Sequence, residues 1–189
     1  MTRIGIIVGT TRPGRLGTQI AQWIEKAARV RNDAEFELVD LADYDLPLFD
    51  EPGIPRLGNY EHDHTRAWSA KVAELDGFVF VTPEYNWSIP AALKNAIDFV
   101  YAEWNNKAAC FVGYGSNVSG ARAVEHLRQI AGAVQLATAY TQVNLSTLTD
   151  FEEFNNFTPA ESHDAVVQRM LTEVVALTNA LAPLRQSTG

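Results

Sequence analysis

Residues 77–100 read GFVFVTPEYNWSIPAALKNAIDFV, in which two apolar runs flank a short segment between two prolines. The first run, residues 77–82, is rich in Val and Phe and ends at Pro83, which is typical of a strand buried on both faces. The second run, residues 91–101, repeats its apolar side chains at helical spacing after Pro90, a residue that the first turn of a helix tolerates. The stretch therefore predicts a buried strand, a loop and a helix in succession.

The same alternation of strand and helix extends over the rest of the chain. Further strands are predicted at residues 4–8, 36–41 and 108–112 and within 135–145, and further helices at 18–29, 65–75, 121–131 and 160–181. Strands that alternate with helices pair in parallel through right-handed crossovers, which buries the sheet between two helix layers. We therefore expect an α/β protein, a flavodoxin-like three-layer sandwich around a doubly wound, five-stranded parallel sheet. Residues 43–59, with three prolines and two glycines, are predicted as a long loop.

Length, cysteine content and charge narrow the possible functions. The 189 residues predict one domain spanning residues 1–189, and the single Cys110 excludes an intramolecular disulfide and multi-cysteine metal sites. The formal net charge of −8 disfavours nucleic acid and anionic membrane surfaces as partners. The apolar run at residues 4–8 is too short for a signal peptide, and no run reaches the roughly 20 apolar residues of a membrane span. We therefore expect a cytoplasmic protein.

Ligands of doubly wound folds bind beyond the carboxyl ends of the strands, so the loops after the first, third and fourth strands form the candidate site. The first of these loops, residues 9–18, reads GTTRPGRLGT and precedes a predicted helix. Its glycines, the helix N-terminus and the side chains of Arg12 or Arg15 are suited to binding phosphate. Arg15 and Leu16 replace the Lys and Ser or Thr of a P-loop, so nucleoside triphosphate hydrolysis is disfavoured. Because G-x-G-x-x-G is absent, Asp40 is interpreted as a surface acid rather than a ribose ligand.

Residues 83–98 match the pattern P-E-Y-N-x-S-I-P-x-x-L-K-N-A-I-D without a break, which resembles the signature of the NAD(P)H-dependent FMN reductase family. Residues 9–17 resemble the phosphate loop of the same family, and residues 113–128 resemble its third flavin-binding segment. The resemblance covers most of the chain. It implies a flavodoxin-like domain that holds FMN non-covalently within a homodimer or a dimer of dimers.

The resemblance also implies three groups of cofactor-binding residues. The ribityl phosphate would lie among Thr10, Arg12, Arg15 and Gly17. The isoalloxazine ring would be lined, largely through main-chain groups, by Pro83, Glu84, Tyr85 and Asn86. The ring pocket would be completed by Gly113, Gly115 and Ser116. No residue is assigned a catalytic role, because the redox chemistry belongs to the flavin. No metal ligand is assigned either, because two closely spaced histidines are too few ligands.

Several residues of the candidate site have a second interpretation. Glu84 can form a structural or intersubunit ion pair instead of acting on substrate, and the ion pair is favoured because a flavin needs no acidic side chain to accept hydride. Trp87 occupies a position where the family often has glycine, so its indole is expected to narrow or roof the substrate pocket. The close pair His62 and His64 is interpreted as solvent-exposed rather than metal-binding, and Cys110 as a small core residue rather than a nucleophile.

The resemblance implies an enzyme in which NADPH or NADH transfers hydride to FMN and leaves before a small acceptor binds in its place. Quinones, azo or nitro compounds and chromate are the acceptors that such a ping-pong cycle implies. Two alternatives remain open at this point. One is a flavin reductase that supplies reduced FMN to a partner monooxygenase. The other is a flavodoxin-like electron carrier that does not react with nicotinamide.

Overall fold

A computed structural model describes residues 1–186 and contains a central parallel sheet of five strands. The strands are β1 (Arg3–Val8), β2 (Glu35–Asp40), β3 (Gly77–Pro83), β4 (Ala108–Gly115) and β5 (Ala137–Ser146). They lie in the order β2-β1-β3-β4-β5, and each neighbouring pair is parallel. The strand order reverses between β1 and β3, which confirms the predicted doubly wound, flavodoxin-like sheet.

Five helices cover the two faces of this sheet: α1 (Gly17–Ala28), α2 (Asp63–Ala73), α3 (Ala91–Asp98), α4 (Ala121–Ala133) and α5 (Ser162–Gln186). Ile20 of α1 and Met170 of α5 belong to the core cluster on one face. Trp68 of α2, Leu93 of α3 and Leu127 of α4 belong to the cluster on the other face. Because both faces are covered, β3 and most of β4 consist of buried residues, which explains their continuous apolar runs. None of the helices within residues 1–186 combines the length and apolarity needed to cross a membrane.

Element ends account for most of the differences from the sequence-based prediction. The helix predicted at residues 91–101 ends at Asp98, yet Phe99 and Trp104 remain fully buried, so the apolar pattern outlasts the helix. The predicted long loop contains a short 3-10 turn at Pro55–Leu57. Another 3-10 turn, Leu41–Tyr44, follows β2 directly and overlaps the start of that loop. A two-stranded antiparallel sheet, β6 (Phe151–Glu152) and β7 (Asn156–Phe157), was not predicted, because two residues are too few to show an alternating pattern.

The edge strand β5 is irregular opposite Cys110, where the pairing register shifts between Ala109 and Phe111. Arg128 of α4 donates hydrogen bonds to the backbone oxygen of Ala139 at 2.8 Å and of Tyr140 at 3.3 Å. On α5, Glu173 accepts hydrogen bonds from the backbone N–H of Thr141 at 2.7 Å and from its hydroxyl at 2.6 Å. These hydrogen bonds lower the pKa of Glu173. Side chains from the two helix layers therefore form hydrogen bonds with backbone groups in the irregular part of the edge strand.

Candidate functional site

Three loops meet at the carboxyl edge of the sheet: residues 9–16 after β1, 84–90 after β3 and 116–120 after β4. The first two follow the strands between which the strand order reverses. Parallel strands bring these loops to one edge, so the eleven residues named from the sequence lie at the ends of β3 and β4, in the loops after β1, β3 and β4, or at the start of α1.

The first loop ends at the N-terminus of a helix. Helix α1 begins at Gly17 after Leu16, whose apolar side chain provides no cap. Gly14, at φ +70°, lets the loop reverse direction just before the helix. Thr10 is buried despite its polar side chain, and its hydroxyl shares a hydrogen bond of 3.2 Å with the Tyr85 hydroxyl of the second loop. The N-terminus of α1 therefore lies at the edge where an anion would be stabilised.

The two arginines of the first loop have different environments. Arg12 is exposed, whereas the Arg15 guanidinium is partly buried and lies 2.5 Å from the Asp40 carboxylate at the end of β2. Asp40 also accepts a hydrogen bond from the backbone N–H of Ala42 at 3.0 Å, which caps the following 3-10 turn. Asp40 is therefore a partly buried acid at the end of an edge strand, with partners in the first loop and in the 3-10 turn. Arg12 is the arginine whose charge faces solvent, and Arg15 ties the first loop to β2.

The second loop contains a tight turn from Tyr85 to Ser88. The backbone N–H of each of these residues donates to the backbone oxygen of the other, at 2.9 and 3.0 Å. Asn86 and Trp87 occupy the central positions with φ values of +51° and +72°. Positive φ at both central positions is typical of a type I′ turn, a conformation that Asn tolerates and a bulky residue rarely adopts. The turn therefore projects two exposed side chains and their backbone at the carboxyl edge of the sheet.

Glu84 forms an ion pair within the chain, as favoured from the sequence. Its Oε1 lies 2.7 Å from Nε and 2.6 Å from a terminal guanidinium nitrogen of Arg122, and its Oε2 accepts from the Arg122 backbone N–H at 3.1 Å. The Glu84 side chain is only 8% exposed. Both carboxylate oxygens are thus engaged at the start of α4, so the pair joins the second loop to the third.

The third segment is shaped by glycines. At φ +78°, Gly120 precedes α4, and a Cβ built on it would lie 2.3 Å from the backbone nitrogen of Tyr114. A Cβ on Gly113 would lie 2.8 Å from the Gly120 oxygen. Both contacts are too short for any side chain, so the chain folds back tightly over the end of β4. Gly115 and the exposed Ser116 lead out of this close approach.

Tyr114 and Arg122 complete the site and were missed from the sequence. The Tyr114 side chain is buried beside Gly17, where an added Cβ would lie 3.0 Å from the hydroxyl oxygen. Burial raises the pKa of the Tyr114 hydroxyl, which keeps it protonated at neutral pH. The sequence did contain a signal for Tyr114. Side chains two residues apart in a strand point to the same face, and Val112 and Tyr114 both belong to the core cluster beneath α1. No spacing pattern links Arg122 to a partner 38 residues away.

The other polar candidates lie outside these loops. Cys110 is fully buried, and burial raises the pKa of its thiol, so its interpretation as a core residue is confirmed. His62 and His64 stack with ring centres 5.1 Å apart, and His64 lies 3.0 Å from an Asp50 oxygen. Within residues 1–186, no group of three or more His, Cys, Asp and Glu side chains is arranged to hold a metal ion.

A large surface cavity of about 720 Å³ lies at the opposite edge, below the amino ends of β3, β4 and β5. The nearly buried Lys107 lines it and donates hydrogen bonds to the backbone oxygens of Val72 at 2.7 Å and Ala73 at 3.1 Å. These carbonyls end α2, so the lysine satisfies a helix C-terminus there. Burial lowers the pKa of Lys107 to about 8. The buried charge of Lys107 in this cavity therefore has a structural role, because it satisfies the carbonyls at the end of α2.

The carboxyl-edge site fits a phosphate-bearing planar cofactor. The N-terminus of α1 has no side-chain cap from Leu16, and the Nε atom of Arg15 is buried without a hydrogen-bond partner in the described part of the chain. Gly113 and Gly120 bring two backbone segments so close together at the end of β4 that neither position has room for a side chain. A doubly wound sheet with a phosphate site at the switch between β1 and β3 defines a flavodoxin-like protein.

Comparison with known proteins identifies the family. Residues 2–150 match the model of the NADPH-dependent FMN reductase family, to which this chain therefore belongs. It is similar to an NAD(P)H-dependent FMN reductase of Schizosaccharomyces pombe, with 36% identity over 189 residues that cover 99% of this chain and 87% of the relative. It is 30% identical to a 2-hydroxy-1,4-benzoquinone reductase of Burkholderia over 71% of this chain and 72% of the relative. Family membership makes the chain an oxidoreductase that uses FMN and NAD(P)H.

Solved structures support the same fold. The flavoenzyme FerB of Paracoccus denitrificans, an NAD(P)H:(acceptor) oxidoreductase, superposes with a TM-score of 0.74. The superposition covers 95% of this chain and 98% of FerB, at 21% sequence identity. The likeness therefore covers more of the chain than the residues that the family model matches.

Proposed function

We propose that this chain is an NAD(P)H-dependent oxidoreductase that transfers two electrons through bound FMN to a small acceptor, in a ping-pong cycle. The N-terminus of α1, which follows the loop that carries the exposed Arg12 at the switch point of the sheet, carries the proposal. That arrangement suits the one dianionic group of FMN, its phosphate. FMN, when bound, supplies the hydride chemistry.

Each of the three loops would contact a different part of the cofactor. The phosphate would lie among Thr10, Arg12, Arg15 and Gly17. The ring would lie against Pro83, Glu84, Tyr85 and Asn86 on one side and against Gly113, Gly115 and Ser116 on the other. The Thr10–Tyr85 hydrogen bond supports this division, because it fixes the phosphate loop relative to the ring loop. The Glu84–Arg122 pair supports it in the same way for the second and third segments.

We further propose a quinone as the preferred acceptor, with azo and nitro compounds and chromate as others. The 2-hydroxy-1,4-benzoquinone reductase from Burkholderia is a relative over most of this chain, which supports the quinone. The Trp87 indole, 67% exposed on the ring loop, also suits a flat acceptor. Electrons would pass from NAD(P)H to FMN and then to the acceptor at one shared position.

A homodimer or dimer of dimers belongs to the proposal. Three apolar side chains of the long loop after β2 are largely exposed, at 83% for Leu48, 68% for Ile54 and 66% for Leu57. Such a patch is typical of a surface that another chain covers. Sedimentation velocity of the purified protein tests this part. A monomer at micromolar concentration would contradict it.

Steady-state kinetics of the FMN-loaded protein test the proposed cycle. With NADPH and 1,4-benzoquinone varied together, double-reciprocal plots are expected to be parallel, because hydride donor and acceptor bind alternately. Intersecting lines would refute the shared position. Reduction of free FMN without retention of flavin on gel filtration would instead support a flavin reductase that supplies a monooxygenase. A flavin that NADPH does not reduce would support an electron carrier.

A further inference from the structure

Trp87 combines two properties that core packing does not explain. Its indole is 67% exposed, whereas Trp68 and Trp104 are fully or almost fully buried. Its backbone has φ +72°, which is strained for a bulky side chain. Burial does not offset this strain, and strain of this kind persists mainly at sites where function requires it.

The exposed indole is nevertheless held in one place. The guanidinium of Arg122 lies over its ring, 4.7 Å from the centroid. That guanidinium is fixed by two contacts to Oε1 of Glu84, which is itself nearly buried. The far end of the turn is held as well, because the Ser88 hydroxyl lies 3.0 Å from Nδ1 of His126 on α4. Trp87 is therefore an exposed aromatic ring that Arg122 of α4 contacts, on a turn whose Ser88 is held by His126 of the same helix.

We propose that Trp87 is a specificity-determining residue that provides an aromatic wall for flat aromatic acceptors, and that Arg122 is a positioning residue that holds this wall. The inference rests on the proposed function, because it places the acceptor beside the turn at residues 85–88. Flat rings gain affinity from an aromatic wall by stacking. A compact inorganic acceptor gains nothing from such a wall.

The specificity test uses the FMN-loaded enzyme with NADPH and two acceptors, 1,4-naphthoquinone and ferricyanide. Trp87→Gly removes the indole and also relieves the positive φ, whereas Trp87→Phe keeps an aromatic ring. We expect Trp87→Gly to lower the ratio of kcat/KM for naphthoquinone over ferricyanide about three- to tenfold, mainly through KM, as loss of one aromatic pair would. Trp87→Phe should retain most of the ratio. The matched control is Val30→Ala, which trims an 85% exposed apolar side chain beyond the end of α1.

A ratio that is unchanged in Trp87→Gly would overturn the proposal. So would a shift in oligomeric state that accompanies the loss, because Trp87 would then be a subunit contact. If the wild-type protein reduces neither acceptor, the proposed function itself fails. If it reduces both acceptors with unaltered preference in the variant, only the role of Trp87 fails.

The positioning role of Arg122 is tested without turnover. In the flavin-free protein, Arg122→Gln should increase acrylamide quenching of tryptophan fluorescence, because an unsupported indole becomes more accessible. The same substitution in a Trp87→Phe background should cause no increase, since the remaining tryptophans do not contact Arg122. Equal increases in the two backgrounds would show that Arg122 acts on general stability and would overturn the positioning role.

Discussion

Replacement of Arg12 by alanine should weaken FMN binding without unfolding the protein. Arg12 is the exposed arginine of the first loop, whereas Arg15 is already paired with Asp40 at 2.5 Å. A charge-assisted hydrogen bond to a phosphate contributes about 1.5–3 kcal/mol, so loss of the guanidinium should raise the Kd for FMN roughly 10- to 150-fold. Titration of the flavin-free protein with FMN, followed by quenching of flavin fluorescence, measures the change.

Riboflavin provides the decisive control for this prediction, because it carries the same ring without the phosphate. Arg12→Ala should leave the Kd for riboflavin within about twofold, since no charge-assisted bond is lost. Arg29→Ala serves as the matched variant, since it removes an exposed arginine whose partner is Glu25 at the far end of α1. Equal losses of affinity for FMN and riboflavin, or no loss for either, would refute the phosphate-binding role of Arg12.

Two further predictions concern the scaffold of the site and its pH dependence. Gly120→Ala should lower the free energy of unfolding by about 2 kcal/mol or more, because its Cβ would meet the Tyr114 nitrogen at 2.3 Å and its φ is +78°. Gly132→Ala, in open space within α4, should instead raise it by about 0.5–1 kcal/mol; urea unfolding measures both, and equal effects would contradict the close approach. The lowered pKa of Glu173 should stabilise the fold above the ordinary value of 4.5, and that contribution should disappear as the pH falls through the folded value. The difference in unfolding free energy between wild type and Glu173→Gln should therefore shrink below pH 4.5, and a difference that grows there would be inconsistent with the hydrogen bonds to Thr141.

The order of strands and helices could be predicted because burial on both faces leaves an unbroken apolar run in each central strand. The ends of the helices and strands could not be predicted, because buried apolar residues continue beyond the last residue of a helix. Phe99 and Trp104 keep the pattern of α3 apolar after its last turn at Asp98. The two-residue strands β6 and β7 left no alternation to detect.

The location of the candidate site followed from the fold, because the carboxyl ends of parallel strands share one edge. The ion pairs within the site could not be predicted from the fold. Arg15 meets Asp40 and Glu84 meets Arg122 only because the sheet brings separate loops together, and the sequence shows no spacing between the partners. An ion pair of Glu84 was foreseen as the favoured alternative. The identity of its partner, Arg122, and the contact of Arg122 with the Trp87 ring required the structure.

Anaerobic mixing of the FMN-loaded protein with NADPH tests the central claim most directly. The account predicts that the flavin absorbance near about 450 nm bleaches at a rate no slower than steady-state turnover, and that an added quinone restores it. Absorbance that stays constant over the time of many turnovers would contradict the assignment of this chain as an NAD(P)H-dependent FMN oxidoreductase.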